Sequence, residues 1–319
     1  MRRLLLLLVS VLPATSTAVA RPSTCVQINV PVSLTAGAPA DQTIWTALCR
    51  PAGAQTVHVL QSGATYGAAH WDFPYRPAQY SYVRALNGSG IATLNVDRLG
   101  IGRSSHPPSA LVTVDANAFV LHQLIAGLRN GGLGTNRFRP FAKVVTVGNS
   151  LGSVIAVTEA ARYGDVDGVV VTGANKNGNA RELGLFAAQA TPALADPRFA
   201  GRIDDPGYLT LPDETRCRTF WSDRDQDCDG PVATTDNALK ETITAAEGIR
   251  AGTWVMTGEQ GPGVPQDPDT SSIRVPVLLV AGSEDLVECG EGTDCSDAES
   301  LRSSEGRYYP NAPSVEAFG

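Results

Sequence analysis

Histidine is scarce in this chain. There are four in 319 residues, His58, His70, His106 and His122, and none follows residue 122. Any chemistry that needs an imidazole from the second half of the chain is therefore excluded. Charged residues make up 18% and aromatic residues 6%. No run of Lys or Arg stands out and the net charge is −7, so nothing suggests a nucleic-acid surface. Beyond residue 20 no stretch is long and apolar enough to cross a membrane, which takes roughly 20 residues. No Cys-x-x-Cys pair occurs and no histidine lies near a cysteine, which argues against structural zinc. What is present is a hydrophobic share of 43%, with 32 glycines and 21 prolines. That composition belongs to a globular chain with room for one large core.

The first 20 residues read as a targeting segment. Arg2 and Arg3 precede an apolar run over residues 4–12, and Ala18-Val19-Ala20 is a small-x-small cleavage site. Cleavage near Ala20 would export the chain to an extracellular or periplasmic, oxidising space, with no stable membrane anchor. Six cysteines then fit three disulfides. Proximity in sequence favours Cys25 with Cys49, Cys217 with Cys228, and Cys289 with Cys295.

Short β-rich runs alternate with helical spacing along the chain. Strands are expected at 26–32, 43–49, 56–61, 91–96, 143–147, 168–172, 276–281 and 314–318. Helices are expected at 78–86, 116–129 and 151–163. Apolar strands separated by helices imply a mostly parallel α/β sheet covered on both faces. Residues 175–274 break the rhythm with Pro, Gly, Asp and Thr. They read as an inserted cap between a first core part, 21–174, and a second, 275–319.

One motif gives this layout a chemistry. Gly148-Asn149-Ser150-Leu151-Gly152 is Gly-x-Ser-x-Gly, placed directly after a strand and directly before a helix of small residues. A sharp strand-to-helix turn needs small flanking residues, and it lifts the serine to the carboxyl edge of the sheet. Upstream, Asp97-Arg98-Leu99-Gly100-Ile101-Gly102-Arg103-Ser104 has the form Asp-x-x-Gly-x-Gly-x-Ser. With these residues the chain resembles the α/β-hydrolase superfamily over about residues 55–285. The resemblance implies a serine hydrolase with Ser150 as nucleophile, acting on a carboxylic ester or related acyl substrate without a cofactor or metal.

Further roles follow from the resemblance by position. The loop Gln61-Ser62-Gly63-Ala64 stands where the family usually carries His-Gly-x. Main-chain N–H groups of Ala64 and Leu151 would then form the oxyanion hole. Ser62 replaces the usual histidine, a change that affects loop packing more than chemistry. The aromatics that follow, Tyr66, Trp71, Phe73 and Tyr75, suit either a substrate pocket or the core. Asp285, just past the 276–281 strand, matches the triad acid, whose part is to orient and stabilise an imidazole; Glu284 is the lesser substitute. The family's histidine would come after the last strand, and this sequence has none there. Either the chain is a piece of a longer protein, the favoured explanation, or it is a hydrolase-fold protein without the usual base that holds an apolar small molecule. His70 and His106 sit in loops able to approach the site, though structural roles are expected for all four histidines.

Two weaker signals complete the reading. Asp225 to Asp236 partly fits a calcium loop, with a solvated acidic loop as the favoured alternative. Asn87-Gly88-Ser89 is a glycosylation sequon, meaningful only in a eukaryotic host.

Overall fold

A computed structural model describes residues 23–64, 66–74, 77–176, 178–210, 254–255, 270–283, 285–290 and 292–319. The targeting segment, Cys217, Cys228, Glu284 and the Asp225–Asp236 loop lie outside the described residues.

Eight strands form the main sheet. They are β1 (Ser23–Val32), β2 (Gln42–Pro51), β3 (Thr56–Gln61), β4 (Ala92–Val96), β5 (Lys143–Asn149), β6 (Gly168–Thr172), β7 (Val277–Val280) and β8 (Val315–Phe318). Their order across the sheet is β1-β2-β4-β3-β5-β6-β7-β8. β2 pairs antiparallel with both β1 and β4, and every other pairing is parallel. Among the described residues six α-helices accompany them: α1 (Pro77–Tyr80), α2 (Tyr82–Gly88), α3 (Val114–Asn130), α4 (Leu151–Tyr163), α5 (Ala180–Ala187) and α6 (Ala298–Glu305). The expected mostly parallel, doubly covered α/β sheet is the one observed.

The two faces are readable in the strand alternation. Val57 and Val59 of β3 and Val144 of β5 join the larger core with Leu121, Leu124, Ile125 and Leu128 of α3 and Ile155 of α4. Leu60 and Val147 point the other way and pack with Trp71 and Val83 of α2. β4 is buried at all five positions, as a central strand between two layers must be. Helix ends follow their local chemistry. Thr113 caps α3 by accepting from Ala116 N–H at 3.0 Å, and Gly131 ends it in the left-handed region at φ 73°.

The expected helix at 78–86 is two, α1 and α2, because Ser81 turns extended between them (φ −89°, ψ 111°) and accepts from Arg84 N–H. Of the expected disulfides, Cys25–Cys49 joins opposed residues of β1 and β2, and Cys289–Cys295 closes the loop after β7. Residues 178–210 and 254–255 carry α5 and a three-stranded antiparallel sheet (Thr191–Pro192, Tyr208–Thr210, Trp254–Val255). This part leans on the loop after β4: Asp205 accepts from Ser109 N–H and Oγ, and Tyr208 Oη donates to Pro107 O at 2.7 Å.

In the folded chain Asn87 of the sequon is buried. Asn87 is 5% exposed, and its Nδ2 donates to Ile91 O at 3.1 Å and to Thr93 Oγ1 at 3.3 Å. A glycan on this nitrogen is incompatible with the packing of α2 against β4.

Candidate active site

Ser150 sits at the junction of β5 and α4 with φ 50° and ψ −123°. Among the described residues it is the one non-glycine with positive φ. Such a conformation costs about 1–3 kcal/mol and persists only when its surroundings enforce it. They do so here through the backbone. Ser150 N–H donates to Thr172 O of β6 at 2.8 Å, and Ser150 O accepts from Ser153 N–H at 2.8 Å, starting the helix. The two flanking glycines have no alternative. A Cβ on Gly148 would lie 2.3 Å from Ser153 N, and one on Gly152 would lie 2.2 Å from Gln61 O.

The loop after β3 lies directly over the serine. A Cβ on Gly63 would meet Asn149 Oδ1 at 2.8 Å and Ser150 Cβ at 3.4 Å. Ser62 Oγ donates to Tyr66 O at 2.6 Å, closing the turn in which Ala64 sits. Among the described residues neither Ala64 N–H nor Leu151 N–H donates a hydrogen bond outside helices and strands. Leu151 is the first residue of α4, where N–H groups have no helical acceptor and favour negative charge.

A residue to which the sequence reading gave no role fixes this loop. Arg98 is 3% exposed, with Nε donating to Ser62 O and Nη2 to Gly63 O, both at 2.8 Å. Burial pulls its guanidinium down to about 10, partly opposed by the Asp97 charge. Asp97 ties the next turn. Its Oδ1 accepts from Ala68 N–H at 2.7 Å and its Oδ2 from Arg103 Nε at 2.8 Å. A Cβ on Gly67 or Gly102 would come within 2.7 Å of that carboxylate. The Asp-x-x-Gly-x-Gly-x-Ser motif is thus a clamp that presents Arg98 to the loop over Ser150. Its only sequence signal was position inside the motif.

Asp285 comes to the same place. A Cβ on Gly173, at φ 54°, would lie 3.9 Å from Ser150 N and 4.0 Å from Asp285 Oδ2. Asp285 Oδ1 is taken up by its own loop, accepting from Val287 N–H at 3.0 Å and Glu288 N–H at 3.1 Å. That leaves Oδ2 on the side of the serine. Behind it Glu288 accepts from Asn175 N–H at 2.6 Å. Burial pushes its carboxyl up to about 8; the Asn175 bond opposes this, and the charges of Asp285 and Glu305 add smaller upward pushes.

None of the four histidines hydrogen-bonds Ser150 or Asp285 among the described residues. His58 faces Tyr82 Oη at 3.4 Å. His70 packs between Tyr66 and Trp71, with centroids 5.1 and 4.8 Å away, and burial pulls it down to about 4. His106 lies against Tyr208, and His122 bonds Asp165. The aromatics after the loop divide in favour of the core: Tyr66, Trp71 and Phe73 are buried, and Tyr75 lies outside the described residues.

Solved structures share this architecture at low identity. The crystal structure of bromoperoxidase from Bacillus anthracis matches with TM-score 0.54 and 17% identity, covering 92% of this chain and 91% of that one. A membrane phospholipase A, described as a novel bacterial virulence factor, matches with TM-score 0.56 and 16% identity, covering 92% and 78%. The enol-lactonase from Burkholderia xenovorans LB400 matches with TM-score 0.51 and 14% identity, covering 87% of each chain. No curated protein matches the sequence significantly. Residues 37–298 match the profile described as "Alpha/beta hydrolase family", and the chain belongs to that family.

Proposed function

We propose that this chain is built for acyl transfer from a carboxylic ester or related small acyl substrate. Ser150 is the nucleophile, Ala64 and Leu151 supply main-chain donors to the oxyanion, and Asp285 is the triad acid. The observation that carries the reading is the strained Ser150 elbow with Asp285 Oδ2 and Ser150 N both within 4.0 Å of one point beside Gly173. Attack by Ser150 Oγ on the carbonyl carbon places negative charge on the carbonyl oxygen. Preorganised donors at that oxygen usually supply the largest single share of catalysis. We read the described part of the inserted segment, residues 178–210, as the start of a cap, since Asn179 N–H donates to Val287 O in the loop that carries Asp285. Two disulfides and the targeting segment support an exported protein, and no helix among the described residues is long and apolar enough to cross a membrane.

The base is the part this chain does not bring to Ser150. A serine without one keeps its proton and attacks slowly. Free imidazole can stand in for the missing side chain, with Asp285 oriented to receive its N–H. Labelling with a fluorophosphonate tests this. The 319-residue chain should label slowly, imidazole should raise the rate, Ser150→Ala should abolish labelling, and Asp285→Asn should remove most of the imidazole effect. Labelling that survives Ser150→Ala, or no labelling even with imidazole, would overturn the assignment. The second reading, a non-catalytic protein that binds an apolar small molecule, is favoured only by the absent base. It predicts ligand binding with no Ser150 labelling under any condition.

A further inference from the structure

Glu159 of α4 is 0% exposed, and neither of its carboxylate oxygens has a hydrogen-bond partner. An ionised carboxylate in that position is costly unless something positive meets it. The groups it faces belong to α3 and to the turn after α4. His122 Nδ1 lies 3.8 Å from Glu159 Oε1 and 2.7 Å from Asp165 Oδ2, and Asp165 Oδ1 is a second buried oxygen without a partner. One donor atom from each of the three residues lies within 4.8 Å of the others. The nearest arginine is engaged elsewhere: Arg129 Nε donates to Asp165 O and its Nη2 pairs with Asp167 at 2.6 Å. Tyr163 stacks on the imidazole with centroids 4.1 Å apart and planes at 14°, which fixes the ring.

We propose that His122, Glu159 and Asp165 form a structural binding site for one divalent transition-metal ion of the zinc type, joining α3 to α4. One imidazole nitrogen and two carboxylate oxygens are a donor set for such ions, with water completing the tetrahedron. The imidazole disfavours Ca²⁺ and Mg²⁺, which take oxygen. His122 and Asp165 are 31% and 22% exposed at their side chains, so an ion has a way in while Glu159 forms the floor. Ligand atoms on a tetrahedral zinc stand roughly 3.3 Å apart, given bonds of about 2.0 Å. The His122–Asp165 hydrogen bond therefore opens slightly as the ion takes the place of its proton. Asp167, two residues on, bonds Val144 at the start of β5, whereas Ser150 follows the end of β5. The site thus lies at the sheet edge opposite the candidate active site and acts on stability, independently of any hydrolysis.

The test uses the full chain, stripped with EDTA and titrated with ZnCl₂ by calorimetry, with CoCl₂ absorption as a second readout. One ion per chain should bind, and a hundredfold excess over Kd should raise Tm by about 5 °C. Glu159→Gln, which keeps the shape, and His122→Ala should each abolish binding. Folding of both is checked by circular dichroism. In the unmutated chain, zinc should also protect His122 from diethyl pyrocarbonate. An Asp227→Asn variant should bind as before, which separates this site from the acidic Asp225–Asp236 loop. No binding, binding that survives Glu159→Gln and His122→Ala, or modification of His122 unchanged by zinc overturns the proposal.

Discussion

Replacing Arg98 with Met removes the two donors that hold the loop over Ser150. Wild-type Nε and Nη2 reach Ser62 O and Gly63 O at 2.8 Å each from a site that is 3% exposed. Hydrogen bonds to a charged group contribute about 1.5–3 kcal/mol apiece. Against this, burial that pulls the guanidinium from 12.5 to about 10 biases it against charge by roughly 3 kcal/mol. At the lower end of that range the two native bonds and the desolvation offset one another. What the variant adds is a stranded acceptor. Gly63 O keeps Tyr66 N–H at 3.3 Å, but Ser62 O has no second partner among the described residues. Leaving it unpaired costs about 1–3 kcal/mol. The expected loss is about 1–3 kcal/mol in urea unfolding followed by tryptophan fluorescence. Because the loop carries Ala64, imidazole-assisted fluorophosphonate labelling should fall about tenfold in conditions where the variant is still folded. Arg98→Lys, whose ammonium lacks the planar fork, should fall between the two. A loss below about 0.5 kcal/mol with labelling unchanged would refute the clamp.

Three further outcomes follow from the same geometry. Gly152→Ala forces a methyl to within 2.2 Å of Gln61 O and should cost about 3 kcal/mol or more, read as a fall in the urea midpoint; a near-wild-type midpoint would show that the elbow tolerates displacement. Glu288→Gln should flatten the pH dependence of stability. The folded carboxyl holds its proton up to about 8, against 4.5 for an ordinary glutamate, so its contribution is fully present below 4.5 and is lost as pH rises toward 8. An unchanged slope in that window would place the effect elsewhere. Expression in a glycosylating host should yield a chain with no glycan at Asn87, checked as an intact mass that glycosidase treatment leaves unchanged, because its Nδ2 is buried and bonded.

The sequence by itself determined the sheet and the place of Ser150 at a strand-to-helix turn. Strand β5 and the helix α4 are bounded by residues that leave little choice: valines at 144, 145 and 147, then a serine between Gly148 and Gly152, then small helix formers ended by Gly164. Periodicity and turn chemistry are local, so they survive without a structure. The same holds for Cys25 and Cys49, which proximity in sequence paired and the β1–β2 register set opposite one another. Tertiary structure decided what depends on burial and on contacts between distant segments. Arg98 is an unremarkable loop residue until β4 places it under the loop after β3, 35 residues away in sequence at Gly63. Asn87 reads as a sequon until α2 packs it onto β4. Glu159 is one polar residue in a helix of small ones until α3 and α4 pack together, leaving a fully buried carboxylate beside His122 and Asp165. In each case the decisive quantity is the loss of water around a polar group, which no local pattern in the sequence encodes.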